Sequence, residues 1–265
     1  MRRMKKGLYT AMGLFLLAGC GAGDTSDSSA TSTTSEKEKL VVGLDETFAP
    51  MGFRDENNEI VGFDVDLAKE AGKRIGAEMV FQPIDWAMKE TELNTGNIDM
   101  IWNGYAVTPE RAEKVLLSDT YMEDHSIIVV LKNSDIKTKA DLEGKIVSTQ
   151  QSSSIVAAIE ADPSGIYDKL GGELVLYPSN NNSFSDLEAG RVDAVVVGEV
   201  YGRYYIKQTG KDIYRVLDDN FGSDEMAVAF KLGNTDLQKR VNDALKEMKN
   251  DGTFDKIYDK WFYSE

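Results

Sequence analysis

Arg111 is the residue of this 265-residue chain whose surroundings most clearly prepare a polar chemistry. It follows Thr108-Pro109-Glu110, where Thr108 suits a helix N-cap and Pro109 the first helical position, so Arg111 falls in a first helical turn. A cation there opposes the helix dipole at a cost of about 0.3–1 kcal/mol unless an anion lies close. With backbone amides free at the same end, the position suits a carboxylate ligand held by charge-assisted, bidentate hydrogen bonds. An ion pair with Glu110, Glu113 or Asp119 is the competing role for the same side chain. Asn103 and Gly104 follow a strand-like run, and strand ends are where open α/β sheets bind ligands. Ser152, Ser153 and Ser154 precede a helical pattern and offer hydroxyls and amides.

Inventory removes most catalytic alternatives. His125 is the only histidine and Cys20 the only cysteine. A Ser-His-Asp triad would have to use His125, and no Gly-x-Ser-x-Gly elbow is present. Zinc centres built from several Cys and His ligands are excluded. The balance leans to a binding protein with no metal and no cofactor.

Cys20 has a separate role. It closes Leu17-Ala18-Gly19-Cys20 after a basic start (Arg2, Arg3, Lys5, Lys6) and an apolar stretch from Leu8 to Ala18. That is the pattern of a secretory signal peptide over 1–19, too short to span a membrane comfortably. The quartet resembles the lipobox of bacterial lipoproteins, in which the cysteine thiol is lipidated and becomes the mature N-terminus. Residues 20–35 then read as a flexible stalk: Gly, Ala, Asp, Ser and Thr cannot bury enough apolar surface to order themselves. Loss of the leader, with four basic residues and no acid, takes the formal charge from −15 to about −19. So acidic a body repels nucleic-acid phosphates and anionic membrane surfaces, so no nucleic-acid partner is expected and the membrane is met through the lipid alone.

A scaffold must bring the polar residues together, and the remaining residues, about 230, suffice for one large domain or two smaller lobes. Leu40–Leu44 reads as a first strand, and Phe63–Ile75 places Val65, Leu67, Ala68 and Ala71 at helical spacing before Gly76 as a stop. Met79–Phe81, Asp99–Trp102, Ser126–Leu131, Lys145–Ser148, Leu174–Tyr177, Ala194–Val197 and Met226–Phe230 read as further strands. Trp86–Leu93, Ser153–Glu160, Ser183–Ala189, Asp236–Lys249 and Thr253–Trp261 read as helices. The alternation predicts an α/β fold with largely parallel sheets covered on both faces. Two junctions look alike: Thr95-Gly96-Asn97-Ile98-Asp99 and Ala189-Gly190-Arg191-Val192-Asp193 each run from helix to glycine to a strand opening with aspartate. The likeness is either a chance recurrence of a common junction or the mark of two lobes on one plan.

Several segments in order and spacing carry a family likeness: the Asp45…Phe48-Ala49-Pro50 loop, Gly62-Phe63-Asp64-Val65-Asp66-Leu67, Asn103-Gly104-Tyr105 leading to Thr108-Pro109-Glu110-Arg111, Gly144-Lys145, and Lys256-Ile257-Tyr258-Asp259-Lys260-Trp261. Together they resemble the amino-acid-binding family (family 3) of solute-binding proteins that serve ABC importers. The resemblance runs from Lys39 to the C-terminus. It implies a type II periplasmic-binding-protein-like α/β fold, with two lobes joined by two crossover strands and a ligand cleft that closes between them. Carried onto this chain, 36–124 plus 226–265 form one lobe and 125–225 the other.

The resemblance also implies the site. Arg111 matches the arginine that grips the ligand α-carboxylate. Phe48 and Trp86 fall where the family sandwiches the ligand side chain, and the backbone of Asn103 and Gly104 where it meets the ligand ammonium and carboxylate. With Asp45, Ala106, Gln150, Ser153, Ser154, Gly198 and Glu199 they make up the candidate ligand-binding set. Two positions depart from the family pattern: Ala106 stands where Ser or Thr is common, and Gly198 where an aspartate commonly holds the α-ammonium. A buried ammonium without a carboxylate is costly, so Glu199 or Asp45 takes over, or the ligand lacks an ordinary α-amino group. Glu199 needs a bend at Gly198 to face the cleft, because side chains alternate along a strand. The implied function is capture of a small polar solute, an amino acid, by a lipid-anchored monomer on the outer face of the cell membrane, and delivery to an ABC permease and its ATPase. A cyclohexadienyl-dehydratase-like enzyme using Glu199 as proton donor, or a ligand-sensing module, is the alternative.

Overall fold

The computed structural model describes residues 37–263; the leader, Cys20 and the stalk lie outside the described residues. The chain enters through β1 (Glu38–Leu44), whose Leu40, Val42 and Leu44 are buried. A small antiparallel sheet follows, made of β2 (Thr47–Phe48), β3 (Gly52–Arg54) and β4 (Ile60–Val61). α1 (Phe63–Ile75) buries Val65, Leu67, Ala68 and Ala71 along one face, as a helical stripe requires, and ends at Gly76 in the left-handed conformation (φ 77°). β5 (Ala77–Pro83) then pairs parallel with β1. A 3-10 turn at Trp86–Met88, capped by Asp85, leads into α2 (Lys89–Thr95). β6 (Met100–Ala106) returns parallel on the other side of β1, followed by the short α3 (Pro109–Ala112) and β7 (Leu116–Leu117).

β8 (Met122–Leu131) carries the chain into a second half, with β9 (Val147–Gln150), α4 (Ser154–Glu160), β10 (Val175–Tyr177), α5 (Asn180–Glu188), β11 (Ala194–Gly198) and α6 (Glu199–Thr209). The 17-residue β12 (Tyr214–Phe230) runs back, and α7 (Thr235–Asn250) and α8 (Thr253–Phe262) finish against α1. The strand order is β10-β9-β11-β8-β12-β6-β1-β5, with β7 on β12. β8 and β12 are antiparallel neighbours in the middle of this path, so the two halves of the sheet communicate through them. Their register slips between Val216 and Asn220 and again between Asn220 and Ser223, which bends and twists the pair. No described helix is long and apolar enough to cross a membrane.

Packing divides the same way. Leu40, Phe63, Met100, Trp102, Val228 and Leu245 belong to one core, and Trp86, Ile98, Ile101 and Tyr105 to a second beside it. Ile128, Val147, Ile155 and Val196 form a third, and Val129, Phe184, Val195 and Tyr201 a fourth. The first two cores draw their buried residues from before β8 and from Met226 onward, the other two from Ile127 to Phe221.

Two features differ from the sequence-based expectation. The sheet is mixed rather than largely parallel, because β8 and β12 run antiparallel to their neighbours. α6 and the first part of β12 carry no aliphatic periodicity to betray them: α6 buries only Tyr201 and Gly202, and β12 passes through Asp218, Asp219 and Asn220.

The Gly62–Leu67 segment sets the floor beneath the site. A side chain at Gly62 (φ 147°) would overlap the Met51 backbone. Phe63 is ringed by Tyr121, Phe254, Tyr258 and Phe262. Asp66 accepts from the Trp261 indole at 2.9 Å and from Lys260 at 2.6 Å, tying α8 to α1. Asp64, fully buried, accepts the Gly104 N–H at 2.7 Å and the Tyr121 hydroxyl at 2.9 Å, and burial pushes its carboxyl up to about 7.

Candidate functional site

The ends of β1, β6, β9 and β11 and the crossing of β8 with β12 enclose a cavity of mixed polar and aromatic lining. It offers about 60 Å³ to the centres of water-sized molecules. A single water needs roughly 10–15 Å³ on that measure, so there is room for a small solute. Every candidate ligand-binding residue except Glu199 lines it.

Arg111 reaches the cavity from the turn foreseen for it. The Thr108 hydroxyl accepts the Arg111 N–H at 3.2 Å, and Pro109 opens α3. The buried guanidinium donates to the Ala106 carbonyl at 2.9 Å and to the Ser152 carbonyl at 3.1 Å, and lies 4.5 Å from the centre of the Tyr105 ring. None of the expected acidic partners holds it: Glu110 is engaged by Lys114, and no described carboxylate forms an ion pair with Arg111. A buried guanidinium met only by neutral carbonyls and a ring keeps a charge that an anion would neutralise.

Lys89, absent from the candidate set, sits behind Arg111. It is 2% exposed, donates to the carbonyls of Trp86 and Ser152 at 3.1 Å each, and pairs with Glu90 at 3.3 Å. Burial, helped by the Arg111 charge, draws its ammonium down to about 8. Ser152 adopts a left-handed conformation (φ 57°), which aims its carbonyl at both cations.

A second polar chain crosses the cavity. Asp45 accepts from Gln150 at 2.7 Å, and Gln150 in turn accepts from Asn180 at 3.3 Å. The other oxygen of Asp45 is occupied by the Thr47 N–H at 2.9 Å and hydroxyl at 2.6 Å. Asn103 holds this loop by accepting the Asp45 N–H at 3.0 Å. The Gly104 N–H is committed to Asp64 and so is not offered to a ligand; a side chain at Gly104 (φ 57°) would run into Phe48. Phe48 stacks on Tyr201 at 5.5 Å, and Trp86 meets Tyr105 edge-on at 6.3 Å. Ser153 is no side-chain cap for α4; its hydroxyl donates to the Gln150 carbonyl at 2.8 Å, while Ser154 begins the helix.

Glu199 requires a correction. It is the first residue of α6, not a bent strand end, and its side chain pairs with Arg203 at 2.5 Å and His125 at 3.5 Å. It lies in a separate groove between α6 and α8, lined also by Tyr204 and Trp261. The helix start turns its side chain away from the cavity. The cavity carboxylate that sequence reasoning missed is Asp124, on β8, accompanied by Ser126, Asp224 and Met226. Burial pushes the Asp124 carboxyl up to about 7; the Glu199 charge adds to this, and the Val200 N–H opposes it. In the structure exposure alternates from Met122 to Ser126, with Glu123 and His125 outside and Asp124 and Ser126 inside, and the one sequence signal for this is a period of two counted back from Ser126. Starting that strand at Ser126 left Asp124 outside it.

Comparison with known proteins places the fold in a family. Residues 40–264 match the model of the bacterial extracellular solute-binding proteins, family 3. The L-cystine-binding protein TcyJ of Escherichia coli is 29% identical over 260 residues, covering 97% of this chain and 95% of the relative. The arginine-binding extracellular protein ArtP of Bacillus subtilis is 31% identical over 264 residues, with 97% of each chain covered. Among solved structures, a substrate-binding protein of an ABC uptake transporter from Streptococcus pneumoniae with bound histidine superposes with a TM-score of 0.82 at 37% identity, covering 85% of this chain and 93% of that one.

Proposed function

The chain belongs to family 3 of the bacterial extracellular solute-binding proteins, and from this premise we propose that it captures an amino acid in the cavity and delivers it to an ABC importer. One observation carries the choice of ligand class: Arg111, buried and without a carboxylate partner among the described residues, faces a small cavity bordered by aromatic rings. A free α-carboxylate is the anion that this fork of donors fits. Phe48 and Trp86 flank the ligand side chain, and Gln150 and Asn180, the former held by Asp45, supply polar contacts around it.

The lobes are taken as 36–124 plus 226–265 and 125–225, a division supported by the separation of the buried cores on either side of the β8–β12 pair. Ligand exchange is by opening and closing about that pair. The reading of a binding protein rather than an enzyme is supported by the relatives, which are binding proteins, and Glu199, the proton donor considered for a dehydratase, lies in the other groove. Export, with a lipid on Cys20 as the membrane anchor, completes the reading; it rests on the leader and the Leu17–Cys20 quartet.

Thermal-shift measurements with the twenty standard amino acids and L-cystine, followed by titration calorimetry, test the function. Stabilisation by one or a few of them is expected, because a ligand that binds only the folded state raises its melting temperature. Stabilisation by none would remove the amino-acid reading.

A further inference from the structure

Asp124 and Asp224 occupy directly opposed positions on β8 and β12, and both line the cavity. Like charges facing each other across antiparallel strands destabilise the pair. Here one of them is also withdrawn from water, since Asp124 is buried. Its Oδ1 accepts the Val200 N–H at 3.0 Å, and no described lysine or arginine forms an ion pair with either aspartate. The neighbouring His125 imidazole is turned toward Glu199, on the far side of the strand.

Gly198 belongs to the same arrangement. It pairs with Ser126 on the adjacent β8, and a Cβ at 198 would overlap Oδ2 of Asp124. Any side chain at 198 would therefore displace the Asp124 carboxylate. The other acids nearby are committed: Asp45 accepts from Thr47 and Gln150, Asp64 lies beneath Gly104 and outside the lining, and Glu199 is held by Arg203.

We infer that the Asp124 carboxylate, with Asp224 opposite it and Gly198 leaving it room, is the cation subsite of the cavity and takes the ammonium group of the ligand whose carboxylate lies on Arg111. A guanidinium and an opposed carboxylate pair in one small cavity form a receptor for a zwitterion, and the ligand cation relieves the repulsion between the strands. This rests on the amino-acid reading above and goes beyond it by assigning the ammonium to a strand different from the one carrying residue 198.

Asp124→Asn tests it, because asparagine keeps the size and the acceptor for Val200 N–H while removing the charge. The probes are the tightest binder among the twenty amino acids and L-cystine, and the 2-hydroxy acid with the same side chain, both followed by calorimetry. Loss of one charge-assisted contact should weaken the amino acid by at least about tenfold in Asp124→Asn and narrow the preference over the hydroxy acid by a similar factor. Gly198→Ala leaves every carboxylate in the protein but pushes that of Asp124 aside; it should also weaken the amino acid, and it serves as the test if Asp124→Asn does not fold. Unchanged amino-acid affinity and preference in the folded variant overturns the inference and leaves the amino-acid reading intact. A wild type that binds no member of the panel overturns both.

Discussion

Arg111 donates from Nη2 to the carbonyl of Ser152 at 3.1 Å, so the guanidinium proposed to hold the ligand carboxylate also holds the opposite wall of the cavity. Ser152 lies just after β9, whereas Arg111 lies after β6, at the other side of the β8–β12 pair. Under the proposed opening and closing, ligand capture and closure would share this one side chain. Lys89 donates to the same carbonyl, so in the proposed closing motion Ser152 would meet both cations.

Arg111→Lys keeps the charge but loses the planar fork, and Arg111→Ala loses both. Each should weaken the tightest-binding amino acid by about 2–4 kcal/mol, with circular dichroism unchanged. Calorimetry decides; a loss smaller than tenfold would assign the carboxylate elsewhere.

Lys89→Met separates stability from closure. Its ammonium is buried and drawn down to about 8, so a methionine of similar length should leave the unliganded protein as stable as before or more so. The closed form loses the hydrogen bond to Ser152, which should lower ligand affinity by roughly 3–30-fold. Melting curves and calorimetry on the same sample read the two effects apart, and an unaltered affinity would take Lys89 out of the closing motion.

The contribution of Asp124 and Asp64 to the stability of the unliganded protein should fall as pH rises from about 4 to 7. Asp124 and Asp64 each titrate near 7 when folded, against about 3.9 for an unfolded aspartate, so in that window the folded state binds more protons and unfolding is favoured by raising the pH. Burial raises Asp124 and the Glu199 charge adds to it, while the Val200 N–H and His125 act the other way. Asp124→Asn removes its share. The variant should melt several degrees above the wild type near pH 8, with the gap closing toward pH 4. A variant less stable than the wild type near pH 8 would contradict the assignment.

Cys20→Ala should release the protein from the membrane fraction or leave it unprocessed, as read by fractionation and the mass of the mature chain. A correctly cleaved mutant that stays on the membrane would show that another element is the anchor.

Much of the scaffold was legible because it is written locally. The α1 stripe and its Gly76 stop, and the Thr108-Pro109 start that orients Arg111, depend on neighbours within a turn or two. The paired junctions are also real in structure: Asp99 accepts the Val41 N–H at 2.7 Å and returns its own N–H to the Val41 carbonyl at 2.8 Å, and Asp193 makes the same exchange with Ile146, at 2.7 Å in both directions. A glycine stop followed by an aspartate at the strand entrance produces one clamp twice, once in each half of the sheet.

The carboxylate beside Gly198 was decided only by the tertiary structure. Period-two alternation can say that Asp124 and Ser126 share a face, but not which strand lies alongside or which residue stands opposite. Asp124 meets Val200 across 76 positions of sequence and faces Asp224 through the register of two crossover strands. Glu199 is one bond from Gly198 in the chain, yet the start of α6 turns it to the other side of the sheet. Sequence proximity favoured Glu199, because a local pattern carries the direction of a side chain only while the element type is known. Strand pairing over long separations set the acid that the cavity received.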